Sequence, residues 1–553
     1  MTRNELLFLL GMVLLVCSGI AVVPVEPRGA DIPRTSAVDW STASDAPEKR
    51  LTISWCGSPA FPSARRGTWV QNHVEEVFNV DFRPIFLDWN AYRNRRPLML
   101  SGGDVPDVCW DGDPLQVRRN VHQGFVLEVP YDLILRYAPA YVKNLNRYGP
   151  EAWLYSSFRG RNYGIPTFAA GDIYPYPVLW RMDWLRKVGL SRPPETLDEL
   201  HTALWKFRHE DPDGNGVKDT YGMCPEIHWS VSFVEIFVAF GILPQDFMMR
   251  DGKVVWGGVQ PEAKHVLALL RQWYQEELID PDFAIGTIGN SPTDRKFSNG
   301  RTGYMYLWGS FADFDLGNPN SRYATMKLLD PRVELAPGKP LLGLDGRRRA
   351  RVWGGPGHVF WFGAPVAREP EKAIRVLRMF EALATDRQLF IEARSGKQGV
   401  HWDWSPRRGL YLLPPYDQRG EDGRNLLTLS FESCYGFFSP CAVPLDLTRE
   451  FLREGELAFR ETYCNPAWGF KNAVGKSDVV PSAGRYLEDL RQFQTTAFIQ
   501  IIRGDRPLDY FDEFVRTWKS RGGDILAAEA NEMHREMQAL YRQVGVRSQE
   551  AAP

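Results

Sequence analysis

The chain holds no Cys-x-x-Cys pair, no Gly-x-x-x-x-Gly-Lys-[Ser/Thr] loop, no Gly-x-Ser-x-Gly or His-Glu-x-x-His phrase, and no fixed-period repeat. It therefore carries no zinc or dithiol signature, no nucleotide-hydrolysing loop of its own, and none of the common hydrolase phrases. Charge of one sign is also scarce: 66 Lys and Arg stand against 68 Asp and Glu, for a formal net charge of -2. No basic face is present to attract a nucleic-acid backbone. The one tight basic run, Arg347, Arg348 and Arg349 with Arg351, sits in a Gly/Pro-rich stretch and reads as an exposed turn.

What is present points to a large exported α/β protein. At 553 residues, 44% hydrophobic and 24% charged, the chain can bury a core large enough for two or more lobes. Residues 1–26 carry MTRNE and then the apolar run LLFLLGMVLLVCSGIAVVPV, followed by a polar spacer over 27–49. This is an export signal, or, since the run is long enough to span a bilayer, an uncleaved anchor. Cys17 stands where a lipid-bearing cysteine could, but Val16 before it is large for a lipobox. Of the other six cysteines, Cys434 and Cys441 are the closest couple for pairing in an oxidising compartment, with Cys224 and Cys464 also in play. Cys56 and Cys109 read better as small buried hydrophobes.

From residue 50 onward strands and helices alternate. RLTISWCG, VDFRPIFLDW and DVPDVCWDG read as strands and WVQNHVEEVFN as a helix, the pattern of a mostly parallel sheet covered by helices. ETLDELHTALWKFRHE is an amphipathic helix with Thr196 and Glu199 spaced as a capping box, DGKVVWGGV a hairpin, and PEAKHVLALLRQWYQEELI a long helix begun by Pro261. Helices dominate after Pro370. In such sheets ligands collect beyond the carboxyl ends of the strands. That expectation puts Trp55, Trp89 and Trp110 near one rim.

The stretch HEDPDGNGVKDTYG places oxygen-bearing side chains at loop positions one, three, five and nine: Asp211, Asp213, Asn215 and Asp219. Gly216 falls at the sharp turn, Val217 can offer a main-chain carbonyl, and Thr220 is a further candidate oxygen. This spacing wraps a hard cation, Ca2+, in oxygen ligands. The metal-free alternative is an Asx/Gly turn after the preceding helix. Gly222 stands where an EF-hand has its bidentate Glu, and no second helix follows, so the loop suits a rigid clip better than a sensor.

The loop lies within LWRMDWLRKVGLSRPPETLDELHTALWKFRHEDPDGNGVKDTYGM, and RNYGIP, QWYQEELIDPDF, KQGVHWDW and SRGGDILAAEAN follow the same family wording in order. In these phrases the chain resembles family 1 of the extracellular solute-binding proteins, the LplA-like and alginate-oligosaccharide-binding branch that serves carbohydrate ABC importers. The resemblance runs from about Arg50 to about Tyr541. It implies a class II two-lobed α/β periplasmic-binding-protein fold with about three hinge crossings, a structural Ca2+, a sugar in the cleft, a membrane permease as partner, and a monomer in the periplasm or at the cell surface. Thr220 departs from relatives that have an acidic ligand there. On the strand reading, lobe 1 is 50–165 plus 310–360 and lobe 2 is 166–309 plus 361–545, with crossings near 166–178, 304–312 and 352–366.

Composition fits a sugar site, since 19 tryptophans and an aromatic fraction of 13% are high. Sugars offer flat C–H faces and a rim of hydroxyls, which suit aromatic platforms beside planar polar groups. Trp55, Trp89, Trp110, Trp229, Trp308, Trp353 and Trp402 are the candidate platforms; Asp111, Asp113, Arg181, Glu226 and His401 are the candidate polar groups. Arg181 has Asp183 close enough for a structural ion pair instead. Trp184, Trp205, Trp273 and Trp518 lie on amphipathic helices and are assigned to packing. Two other classes stay open: a secreted glycosidase or lyase, and a membrane-anchored sugar sensor or adhesion module.

Overall fold

The computed structural model describes residues 38–41, 43–58, 64–168, 174–225, 233–284, 292–306, 310–317, 321–352, 356–418, 427 and 451–546. Its first sheet holds β1 (Leu51–Cys56), β2 (Val80–Pro84), β3 (Val108–Asp111) and β4 (Ile165–Phe168). The second sheet holds β5 (Val178–Arg181), β6 (Tyr221–Met223), β9 (Thr302–Met305) and β10 (Leu335–Gly338), and between its strands the chain forms the hairpin β7 (Phe247–Arg250) and β8 (Lys253–Trp256). A late strand, β11 (Pro356–Phe362), returns to the first sheet and inserts between β3 and β4, giving the order β2-β1-β3-β11-β4. β1, β2 and β3 are parallel and β11 is antiparallel to both its neighbours. The second sheet has the order β10-β5-β9-β6.

Strand alternation buries both faces of the first sheet. Ile53, Trp55, Val108, Trp110, Phe360 and Phe362 point into one apolar cluster, while Cys56, Cys109, Val359 and Trp361 point into the other. The first face is covered by α1 (Trp69–Phe78), α4 (Tyr131–Tyr137) and α5 (Pro139–Tyr148); the second by α2 (Trp89–Ser101) and α3 (Pro114–His122). α6 (Leu197–His209) packs on β6, and its Thr196 hydroxyl accepts from the Glu199 amide at 3.2 Å. Glu199 turns its carboxylate to the Glu195 amide, at 2.8 Å, so only half of the expected capping box forms. α7 (Pro261–Gln275) packs on the C-terminal α10 (Ala483–Arg503).

Near two of the expected crossings the chain steps between the sheets: β4 ends at Phe168 and β5 begins at Val178, and β10 ends at Gly338 while β11 begins at Pro356. The third differs. After β9 the chain stays with the second sheet, since the helix Arg322–Leu329 seats Met326 beside Leu179 and Leu335, and β10 pairs with β5. The residues 310–352 therefore pack with the second unit rather than the first. Conversely, α8 (Glu371–Thr385) packs on α4 and α5, and α9 (Arg387–Ser395) on α1, so 361–416 packs with the first unit. The chain changes sides again after Phe451, which lies on the first core, because Arg453 already pairs with Asp315 of the second unit at 2.5 Å. These helices are amphipathic everywhere, and amphipathicity does not say which sheet they cover.

The last part of the expected spacer is pinned. Val38, Trp40 and Ala43 pack on the first core, and the buried Asp45 carboxylate accepts from Arg375 Nε at 2.9 Å to both oxygens. Arg375 also donates to the carbonyls of Ala46 and Asn79. α11 (Asp524–Val544) ties the C-terminus back to the first unit, where Asn146 donates to the Val544 carbonyl at 2.8 Å. No helix among the described residues is long and apolar enough to cross a membrane.

Candidate binding cleft

The carboxyl ends of β1, β3 and β4 and the start of β11 form one rim, since Pro356 faces Phe168 and Val359 faces Asp111. Beyond β3 the turn Gly112–Asp113 exposes the chain to that rim. A Cβ at Gly112 would come within 3.0 Å of the Trp110 ring and 3.2 Å of His358, so glycine is what lets the two rings meet, with centroids 4.5 Å apart. Asp113 caps α3 by accepting from the Leu115 amide at 2.9 Å.

Asp111 is the best-connected group of this rim. Its carboxylate accepts from Arg96 Nη2, from the Tyr92 hydroxyl and from Trp361 Nε1, each at 2.7 Å. Arg96 is itself buried, bonded also to the Trp110 carbonyl at 2.9 Å, and its guanidinium lies 3.9 Å from the Tyr92 ring centroid. Burial and the adjacent Asp111 push the Tyr92 hydroxyl well above its ordinary pKa. With three donors on its carboxylate and 1% exposure, Asp111 is taken up in holding the rim together rather than standing open to the cleft.

Several other sequence candidates are likewise corrected. Trp55 is fully buried between Phe82 and Phe360, because strand alternation turns it into the core. Trp110 is 5% exposed, with Tyr92 edge-on to it as well as His358. Arg181 forms the structural alternative, donating from Nε and Nη2 to the two Asp183 carboxylate oxygens at 2.9 and 2.6 Å, and lies over Trp184. His401 is held between Trp69 and Tyr416, with Nδ1 accepting from the Lys397 amide at 2.8 Å, and Trp402 Nε1 donates to the Gly396 carbonyl. Trp184, Trp273 and Trp518 pack as expected, but Trp205 is 42% exposed, with the His209 ring tilted against it. Trp229, Trp308, Trp353 and Glu226 lie outside the described residues, as do Cys17, Cys434 and Cys441.

Trp89 remains. It opens α2, where Asp88 caps the helix by accepting from the Ala91 amide at 2.8 Å, rather than ending a strand. Its ring is 54% exposed, the most open tryptophan among the described residues, with Arg93 alongside.

Across from this rim, the ends of β6 and β9 carry polar groups that sequence reasoning missed. Glu235 is buried on the short helix Val234–Ala239, with the Tyr304 hydroxyl 3.3 Å from its carboxylate, and burial pushes its carboxyl up to about 7. The residue before that helix, Phe233, sits at a φ of 54°, a left-handed conformation that costs a bulky side chain energy. Tyr306 is buried close enough to Glu235 and Arg351 to feel both charges. Arg351 donates to Asp246 at 3.0 Å, and Asn472 donates to the other Asp246 oxygen and to Ser477.

Between the two sets stand Tyr155 and Lys476. The Lys476 ammonium lies 5.3 Å from the Tyr155 ring, and it joins burial in lowering the His358 pKa to about 3. Among the described residues, the Tyr155 hydroxyl and His358 Nδ1 are buried without a hydrogen-bond partner, two polar atoms in the same neighbourhood with unmet capacity. The one sequence signal for Glu235 is a lone carboxylate inside the apolar run VEIFVAF.

The acidic loop folds on itself. Asp211, at a φ of 46°, accepts from the amides of Gly214, Asn215 and Gly216, and Gly214 and Gly216 take positive φ. The Asn215 amide donates to Asp213 at 2.8 Å and to Asp219 at 3.3 Å, bringing three carboxylates and an amide oxygen into one small turn. Among the described residues no three acidic, His or Cys side chains already converge as a metal cage. The oxygen donors suit a hard cation, but Asn215 would have to rotate to present its oxygen. Thr220 does not fit: its hydroxyl donates to the Phe207 carbonyl at 2.8 Å and its carbonyl accepts from Arg208.

No family model matches the chain. It is 23% identical over 493 residues to lipoprotein LipO of Bacillus subtilis (strain 168), spanning 86% of this chain and 90% of that one. It is 21% identical over 518 residues to the polygalacturonan/rhamnogalacturonan-binding protein YtcQ of the same organism, spanning 93% and 97%. Among solved structures it is similar to the alginate-binding protein AlgQ2 without calcium ion, with a TM-score of 0.59, 18% identity, and coverage of 89% of this chain and 100% of that one. It is also similar to an EF-hand mutant of the S. pneumoniae ABC-transporter substrate binding protein FusA in complex with fructo-nystose, with a TM-score of 0.57, 18% identity and the same coverage. These likenesses establish the α/β fold of the periplasmic solute-binding proteins.

Proposed function

We propose that this chain, which belongs with the extracellular solute-binding proteins of carbohydrate importers, captures an oligosaccharide between its two sheet-bearing lobes and presents it to an ABC permease in the membrane. The observation that carries this reading is the open Trp89, which follows the carboxyl end of the parallel strand β2 and connects through the rings of Tyr92 and Trp110 to the buried His358. Trp89 supplies the apolar platform for a pyranose or furanose face. Tyr155 and His358 offer hydrogen-bonding atoms that no other group among the described residues uses. The YtcQ and FusA relatives, named for polygalacturonan and fructo-nystose, support an oligosaccharide as the ligand class.

Binding acts through closure. A ligand that touches groups of both units stabilises the closed arrangement. No covalent chemistry is needed. Asp211, Asp213, Asn215 and Asp219, with the Val217 carbonyl, are the residues that would hold a structural Ca2+ in the second lobe. The ion would supply charge neutralisation for three crowded carboxylates, and it sits apart from the sugar. The chain acts outside the cytoplasm as a monomer.

The test is a thermal-shift screen over neutral and acidic oligosaccharides, with the soluble ligand analysed afterwards. A ligand that raises Tm and is recovered intact supports capture. Shortened products would support the glycosidase or lyase reading instead.

A further inference from the structure

β1 and β3 are parallel neighbours, and their register sets Cys56 directly beside Cys109. In-register residues on parallel strands point to the same face, about 4.8 Å apart along the hydrogen-bonding direction. That separation falls inside the span of about 4.4–6.8 Å between the Cα atoms of a disulfide. Both are free thiols, fully buried on the face that also carries Asp111 and Arg96. The binding reading uses neither. We infer that Cys56 and Cys109 are a cross-linking site, forming a disulfide that clamps β1 to β3 beneath the rim when the chain folds in an oxidising compartment.

The chemistry balances against a disulfide oxidant, either a small molecule such as oxidised glutathione or a protein disulfide. The Cys56 thiolate attacks one sulfur of the oxidant, breaking its S–S bond and releasing one thiol. The Cys109 thiolate then displaces the second thiol from Cys56 Sγ, so two electrons and two protons pass from the cysteine pair to the oxidant. Cys56 is the better attacker, because the adjacent Cys109 thiol holds its pKa down, while burial pushes Cys109 well up. With no exposure at either thiol, exchange belongs to folding rather than to the folded state. The site depends on export only for its natural oxidant; the geometry can be tested without it.

The experiment refolds the reduced, purified full-length chain in a glutathione redox buffer, quenches with iodoacetamide, and maps peptides under non-reducing conditions. The expected result is a peptide joining Cys56 to Cys109, and a Tm several degrees higher for the oxidised than for the reduced protein. That difference disappears in Cys109→Ser. Alkylated Cys56 and Cys109 in protein whose refolding is confirmed by circular dichroism would overturn the inference, as would either cysteine joined to a different partner. The wild-type map needs no variant to fold, and ligand binding plays no part in it, so its failure leaves the oligosaccharide reading standing.

Discussion

Replacing Asp111 by Ala separates a ligand-binding carboxylate from a structural one. The substitution removes the acceptor for three donors at 2.7 Å and leaves the Arg96 guanidinium, whose side chain is 3% exposed, without a counter-charge. Breaking a buried pair from one side costs about 3–5 kcal/mol, and orphaned buried donors such as Trp361 Nε1 and the Tyr92 hydroxyl cost about 1–3 kcal/mol each. These terms overlap, so a loss on the order of 4 kcal/mol is expected from the first unit. Asp111→Asn keeps one acceptor and should lose roughly half as much. Urea unfolding followed by tryptophan fluorescence would report it as a lower midpoint. The double variant Asp111→Leu with Arg96→Met should recover part of the loss, because it removes the stranded charge as well. A wild-type midpoint in Asp111→Ala together with lost oligosaccharide affinity would refute the reasoning and return Asp111 to the binding site.

Glu235 sets a pH dependence with a definite sign. Its carboxyl, normally near 4.5, is raised to about 7 by burial, so the stability it contributes is complete below about pH 4.5 and is lost as pH rises through about 7. Glu235→Gln should flatten the stability profile across that window and stabilise the chain at pH 8 by up to roughly 3 kcal/mol, measured by thermal unfolding across pH. Trp89→Ala should weaken oligosaccharide binding by about tenfold with Tm nearly unchanged, since more than half of the ring is exposed; calorimetry checks it, and equal affinity would remove Trp89 from the site. Chelation, or Asp213→Asn, should lower Tm yet leave the sugar Kd within about threefold at a temperature where the protein is folded, and loss of binding with the fold intact would tie the loop to the ligand.

Much of the fold was legible because its signals are local. The β1, β3, α6 and α7 segments carry their periods and caps within the sequence, and the calcium-type loop carries its spacing. The placement of β11 was not, since a strand from 356–362 inserting between β3 and β4 is decided by packing between distant segments. The same limit misassigned α8 and the 310–352 stretch.

At the site, a polar residue ending a strand looks the same whether it meets a sugar or, as at Asp111, groups from α2 and β11. Trp55 shows a related ambiguity: when both faces of a sheet are buried, period-two alternation marks the face but not exposure. Trp89 was picked for the wrong local reason, as a strand end rather than a helix start, yet among the described residues it is the candidate tryptophan that stays open. Tyr155 and Glu235 become visible only when β4, β9 and the C-terminal segment meet.

The most direct test of oligosaccharide capture is calorimetric titration of the full-length chain with the oligosaccharide that gives the largest thermal shift, followed by mass analysis of the sugar recovered from the cell. Saturable binding of one sugar per chain, with every sugar recovered at its original mass, is the predicted result. Recovery of shortened or unsaturated fragments would contradict it and make the chain an enzyme.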